Sequence, residues 1–296
     1  MPLDGSMVND RLSTALAGRL ALQMSLSSLT VVEEWMDTPL TRWLDSVPLP
    51  PEMPDGEGPP LVVSIGYDAM LLRWSSGGAP GGVVPKLVDY MRRAGALPAA
   101  FHQVDAIGQA LEPEVVGSWI EARPGAVATG WFVADRMDTA RLRVLLGEGS
   151  WMDDLGGGTC LYAGRSIGAD PVTDIVVELE GAERADKLAA AGAAFARCGM
   201  VFDGAAAARF GGQGVALGVR ARADQVLSAR LLVARPGPGA AGEACAALGL
   251  DLAPAVGVVE RSIGAGEMVQ LEIERSAAGV AVVVEFVAGA TRAPAN

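Results

Sequence analysis

Residues 8–29 carry Leu12, Leu16, Leu20, Leu22 and Met24 at spacings that put them on one face of a helix. Residues 31–47 read as a second helix, with Trp35 and Trp43. The breaker cluster Pro48-Leu49-Pro50-Pro51-Glu52-Met53-Pro54-Asp55-Gly56 ends that unit. Beyond it the pattern changes to short alternating runs joined by turn residues. The runs 61–65 and 69–74 flank Gly66-Tyr67-Asp68 and read as a hairpin. Helical spacing follows over 85–94 and over 101–122, the second broken at Pro113. A second hairpin is expected from 126–134 and 139–146, turning at Asp135-Arg136-Met137-Asp138. A third is expected from 159–166 and 172–179, a fourth from 214–222 and 226–235, and a fifth from 256–263 and 268–273, with a last strand at 280–286. Helices are expected at 183–198, 205–208 and 240–248.

Arg165-Ser166-Ile167-Gly168-Ala169 recurs as Arg261-Ser262-Ile263-Gly264-Ala265. In that register Ile175, Val177 and Glu178 fall on Leu271, Ile273 and Glu274, which suggests a structural repeat. Antiparallel hairpins with helices between them bury both surfaces well when the strands close into a barrel under a helical shell, because closure removes the sheet edges. The expected fold class is therefore α+β: a ten-stranded antiparallel barrel of repeated αα-ββ units surrounded by helices. Its domain would span 61–288, after N-terminal helices at 1–47 and a Pro/Gly-rich linker at 48–60, and before a disordered tail at 289–296.

The alternation also carries charge. Arg141 and Arg143 interleave with Leu142, Val144 and Leu146, and Arg220 and Arg222 with Val215, Leu217 and Val219. Asp174, Val176 and Glu178 interleave with Ile175, Val177 and Leu179. Either these charged faces meet water on an open sheet, or the sheet closes and Arg73, Arg141, Arg143, Arg220, Arg222 and Arg230 converge on one cavity. Clustered guanidiniums are costly without an acidic partner or an anion. Asp174, Glu178, Glu272 and Glu274 could neutralise them internally, and a diphosphate could do so as a ligand.

Composition narrows the chemistry. The chain has 296 residues, half of them apolar, and a formal charge of −12, which argues against non-specific binding to nucleic acid. No apolar run has the length of a membrane helix, and the first residues lack the pattern of a signal peptide, so a cytoplasmic protein is expected. The three cysteines form no CxxC pair, and His102 is the only histidine. Gly164-Arg165-Ser166-Ile167-Gly168 fits the G-x-S-x-G pattern, but a strand-like run follows where a nucleophile elbow needs a helix. It reads as a hairpin turn. No phosphate-binding GxxxxGK[ST] loop and no dinucleotide fingerprint is present.

The order of helices and hairpins resembles the ABBA or PT-barrel prenyltransferases, and its spacing is most similar to the peptide prenyltransferases of cyanobactin-type pathways. Ala128-Thr129-Gly130-Trp131-Phe132-Val133-Ala134-Asp135 with Ala140-Arg141-Leu142-Arg143-Val144, and Ala69-Met70-Leu71-Leu72-Arg73-Trp74, look like the hairpins that place basic residues on a diphosphate there. The resemblance implies transfer of a dimethylallyl or longer prenyl group from an isoprenoid diphosphate to a peptide side chain or a small-molecule acceptor. Arg73, Arg141, Arg143, Arg220, Arg222 and Arg230 would hold the diphosphate, with Mg2+ as the implied cofactor. Trp74, Trp131 and Tyr162 would shield the allyl cation, and Glu57 would help deprotonate the acceptor. Only three tyrosines are present where that family usually has several in the barrel. Two other readings stay open: a catalytically inactive barrel that binds a peptide or partner, and an α+β protein with no enclosed pocket. No nucleic-acid or membrane partner is expected.

Overall fold

The computed structural model describes residues 61–66, 71–93, 95–123, 126–147, 150–155, 158–209, 214–237, 239–251 and 267–287. The N-terminal helices, the linker, the tail, Glu57 and the second copy of the five-residue echo lie outside the described residues.

Ten strands are formed, β1 (Leu61–Gly66), β2 (Leu71–Gly78), β3 (Val115–Arg123), β4 (Ala126–Asp138), β5 (Thr159–Ser166), β6 (Thr173–Glu178), β7 (Gly214–Arg222), β8 (Gln225–Ala234), β9 (Glu267–Ser276) and β10 (Gly279–Val287). Each is antiparallel to its neighbours in sequence, and β1 also pairs with β10, with Leu61 opposite Phe286, so the ring of pairings closes. The helices are α1 (Pro80–Arg93), α2 (Pro98–Leu111), α3 (Thr139–Leu146), α4 (Trp151–Asp154), α5 (Arg184–Arg197), α6 (Gly204–Ala207) and α7 (Ala240–Leu248). They follow the second strand of each of the first four hairpins, so one end of the barrel carries the helical connections and the other the hairpin turns.

Strand parity decides what is covered. Ile175 and Val177 on β6, Leu217 and Val219 on β7, Leu231 and Val233 on β8, and Leu271 and Ile273 on β9 all belong to the buried apolar cluster outside the barrel. Over this surface pack Leu87 and Met91 of α1, Ala191, Ala194 and Phe195 of α5, and Ala244 and Cys245 of α7. Alanine on the helix faces lets these helices lie close to the sheet, so many small side chains fill the space that fewer large ones would occupy elsewhere. Helix ends are set by local chemistry. Pro98 opens α2, Glu183 and Asp186 form a capping box at α5, and Gly147 and Gly249 end α3 and α7 with positive φ.

Several segments differ from their sequence expectation. The expected helix 101–122 stops at Leu111, and Val115–Arg123 is instead β3, the first strand of the second hairpin with β4. The expected strand at 139–146 is the helix α3, which corrects the placement of Arg141 and Arg143. Asp138 caps α3, accepting from the backbone N–H of Ala140 at 2.8 Å, and the expected turn at 135–138 is a β-bulge followed by that cap. Leu142 and Leu146 are buried while Val144 is 81 % exposed, which fits a helical period and not a period of two. Residues 267–276 open the last hairpin rather than close one, and 256–263 lies outside the described residues. Ile175 of β6 and Leu271 of β9, which the echo aligns, both face the helices. β6 closes one hairpin and β9 opens another, so these two strands run in opposite directions.

Candidate functional site

The face of the sheet turned from the helices lines a lumen. Registers place Gly117, Trp119 and Glu121 of β3 opposite Phe132, Gly130 and Ala128 of β4. On β5 to β9 the same face carries Tyr162, Asp174, Glu178, Arg220, Arg230, Glu272 and Glu274.

Glycines on this face serve as seats for large side chains. A Cβ at Gly218 would lie 2.8 Å from Arg230 Nη2, one at Gly164 would lie 2.6 Å from Tyr162 Oη, and one at Gly130 would collide with the Trp119 indole. The rings and the guanidinium therefore lie flat on the barrel wall. The Phe132 and Tyr162 rings stack with centroids 5.5 Å apart. Gly218→Ala should drive Arg230 off its seat and cost about 1–3 kcal/mol, the usual penalty for overpacking, which denaturant unfolding would measure.

Arg230 is 1 % exposed and bonds Glu272 Oε2 at 3.0 Å through Nη1, while its Nη2 donates to Asp174 Oδ1. Arg220 reaches Asp174 at 3.1 Å, Glu274 at 3.5 Å and Glu121 at 3.8 Å. Burial opposes a charge on Arg220, but Glu274, Asp174, Glu121 and Glu272 outweigh it and hold the pKa well above its ordinary value. Ser228 Oγ donates to Glu274 Oε1 at 2.5 Å, and Gln270 Nε2 donates to Glu272 Oε1 at 2.7 Å. Because β7 and β3 are separated by β6, β5 and β4 in the ring, the Arg220–Glu121 pair crosses the bore.

A cavity of about 530 Å³ lies to the helical side of this crossbar. Trp119, Phe132 and Tyr162 form one wall, Asp174, Glu178, Glu272 and Glu285 supply carboxylates, and Arg230 and Lys187 are its basic residues. Arg220, Glu121 and Glu274 do not line it, so the crossbar is its floor. Glu178 at the end of β6, Ala234 at the end of β8 and Lys187 on α5 mark its mouth. Counting floor and walls, the carboxylates of Glu121, Asp174, Glu178, Glu272, Glu274 and Glu285 outnumber the cations of Arg220, Arg230 and Lys187.

The two kinds of ion pair here differ greatly in strength. At the rim, Arg136, set on the bulge of β4, pairs with Glu178 in a solvent-exposed contact of the kind worth about 0–1 kcal/mol. Removing one partner from a buried network costs about 3–5 kcal/mol.

Of the residues singled out from sequence, Arg220, Arg230 and Tyr162 come together in the lumen. Arg222 sits at the hairpin end, paired with Asp170 at 3.0 Å. Arg141 and Arg143 are on α3 outside the barrel, where Arg141 Nη2 donates to the Ala110 carbonyl at 2.7 Å and Arg143 pairs with Asp153. Trp131 is 1 % exposed in the apolar cluster under the helices, because its neighbour Phe132 holds the lumen-facing parity. Arg73 and Trp74 belong to β2, Arg73 opposite Glu121 in register, and their side chains are outside the described ones. Trp119 and Phe132 were not singled out from sequence. The alternation of residues 115–123 after Pro113, ending before Pro124-Gly125, is the signal that finds Trp119.

The implied Mg2+ finds no ligand set of its own. Among the described residues no three His, Cys, Asp or Glu side chains are grouped to hold a metal ion, and the floor carboxylates face guanidiniums. The Cys160 thiol, pushed up to about 12 by burial, stays protonated and is no nucleophile. Among the described residues no helix is long and apolar enough to cross a membrane.

The fold is that of the aromatic prenyltransferases of the ABBA class. The 6-dimethylallyltryptophan synthase of Micromonospora olivasterospora, solved with DMASPP and Trp, matches at a TM-score of 0.61 over 92% of this chain and 96% of that one, with 14% identity. NotF, solved with brevianamide F and DMSPP, matches at 0.60 over 92% of this chain and 94% of its own, with 11% identity. The 5-dimethylallyl tryptophan synthase of Streptomyces coelicolor matches at 0.54 over 80% and 81%, with 16% identity. No protein-family model matches the sequence. A PH domain-containing protein of Dictyostelium discoideum is 24% identical over 139 residues, which are 44% of this chain and 30% of that protein. The chain thus spans under a third of the length of that relative.

Proposed function

We propose that the barrel transfers a dimethylallyl or longer prenyl group from its diphosphate to an electron-rich acceptor held in the lumen. One observation carries the reading: the cavity has an aromatic wall and a surplus of carboxylates around it. When the allylic C–O bond breaks, its electron pair leaves on the diphosphate and positive charge spreads over the allyl group. Ring faces stabilise such a cation by about 0.5–2 kcal/mol each. The net negative charge of the lumen, six carboxylates against Arg220, Arg230 and Lys187, adds a longer-range attraction. The acceptor then attacks the allyl carbon and releases a proton. Any Mg2+ would arrive on the diphosphate as part of the substrate.

The neighbours solved with Trp and with brevianamide F make an indole the first acceptor to try. A peptide side chain is the second, in keeping with the resemblance to cyanobactin-type enzymes. Incubation with dimethylallyl diphosphate and either tryptophan or tryptophan- and tyrosine-containing peptides should give an acceptor heavier by one dimethylallyl group in mass spectrometry. No prenylated acceptor with any of these, at any prenyl length from dimethylallyl to farnesyl, would refute transfer. The inactive-barrel reading draws on the same network, since both described lumen guanidiniums are already matched by carboxylates. A barrel of that kind would bind a cationic or neutral ligand and ignore diphosphate.

A further inference from the structure

The lumen places its charge in an order that bears on where a leaving group can sit. Its depth is acidic, and the arginines there are committed. Arg230 is buried between Asp174 and Glu272, and Arg220 is shared among Asp174, Glu274 and Glu121. A diphosphate entering that depth would have to strip a guanidinium from buried carboxylates and leave them uncompensated. The mouth holds its cations more loosely, although Glu178 and Glu285 also lie there, Glu285 level with Ala234 through Gln270. Lys187, half-buried on the first turns of α5, lines the cavity and makes no ion pair among the described residues. Arg136, lifted by the β4 bulge, holds the Glu178 carboxylate in an exposed contact that is cheaply exchanged.

Resting on the transfer reading above, we infer that the donor's diphosphate binds at the mouth, on Lys187 and Arg136, in the place the Glu178 carboxylate takes in its absence. The allyl end then points down toward Trp119, Phe132 and Tyr162, and the cation formed on C–O cleavage faces the acidic floor. The diphosphate keeps the electron pair of the broken bond and leaves outward, so the two products of the cleavage are held by opposite ends of one cavity. Glu178 acts as a resident competitor that fills the anion position until substrate displaces it.

Calorimetric titration of the full chain with inorganic pyrophosphate tests this. Lys187→Ala and Arg136→Ala should each weaken binding by about tenfold or more, as loss of a charge-assisted contact does, and Lys187→Arg should largely restore it. Glu178→Gln, which removes the competing charge, should tighten binding several-fold. These are surface or rim positions, and circular dichroism melts identify any variant that has lost its fold. Pyrophosphate binding that ignores all three charge changes, or that weakens in Glu178→Gln, overturns the mouth site and leaves prenyl transfer standing. A wild-type chain that binds no pyrophosphate overturns both.

Discussion

Arg230→Ala should lower the free energy of unfolding by about 3–5 kcal/mol. The guanidinium is 1 % exposed and touches both Asp174 and Glu272, so its loss leaves Glu272 in the barrel wall with no counter-charge and Asp174 with Arg220 alone. The effect is the cost of the stranded charges and not the worth of the pairs themselves. For that reason the triple change Arg230→Met, Asp174→Asn, Glu272→Gln should recover most of the loss, because it removes the charges together and keeps the volume. Urea unfolding of the two proteins separates these cases. A single variant as stable as the parent would mean that water already reaches and solvates the network.

Trp131→Ala should cost about 3–5 kcal/mol, and it should do so without any special effect on the lumen. The indole is 1 % exposed in the apolar cluster between β4 and the helices, so truncation leaves a cavity that the surrounding side chains cannot fill. Its buried Nε1 has no hydrogen-bond partner among the described residues, so Trp131→Phe should cost much less, because it removes an orphaned donor along with some volume. Trp119, one register along the same hairpin, faces the other way. Trp119→Ala should leave a folded protein whose rate of prenyl transfer falls more than its stability does. Unfolding curves and product formation measured on both variants would show the exchange of effects, and equal losses of stability would place both rings on one side of the sheet.

That contrast also shows how far the sequence could be read. Repeated hairpins and their spacing were legible because turn residues and alternation are local signals, and the parity of β6 and β7 was correct from Asp174 to Glu178 and from Val215 to Arg222. Residues 139–146 were not legible. Leu142, Val144 and Leu146 satisfy a period of two, while Leu142 and Leu146 alone satisfy a helical one, and only the exposure of Val144 decides between them. The cap at Asp138 was the one local sign of a helix, and an aspartate also suits a turn. In the other direction, the apolar residues before Pro113 lent their helical pattern to a strand, and Trp119 was hidden with it.

At the site, sequence gave the residue types but not their pairing. Arg220 and Arg230 were recognisable as lumen residues from alternation alone. That each would be matched by carboxylates from two or more strands depends on register between residues 42 or more positions apart, which local pattern does not encode. The same holds for Arg136. Its role at the mouth depends on a bulge between Ala134 and Met137 that no residue type announces. Glycine was legible as composition and illegible as function: Gly130, Gly164 and Gly218 matter because of what lies over them.

The account stands on one arrangement, a lumen that is acidic and aromatic at depth, with its loosely held cations, Lys187 and Arg136, at the mouth. A crystal structure of the chain with DMASPP bound tests it most directly. The arrangement predicts the thiodiphosphate against Lys187 and Arg136, with the dimethylallyl carbons packed on Trp119, Phe132 and Tyr162. Density for the thiodiphosphate on the floor beside Arg220, or a lumen left empty at saturating analogue, would contradict it.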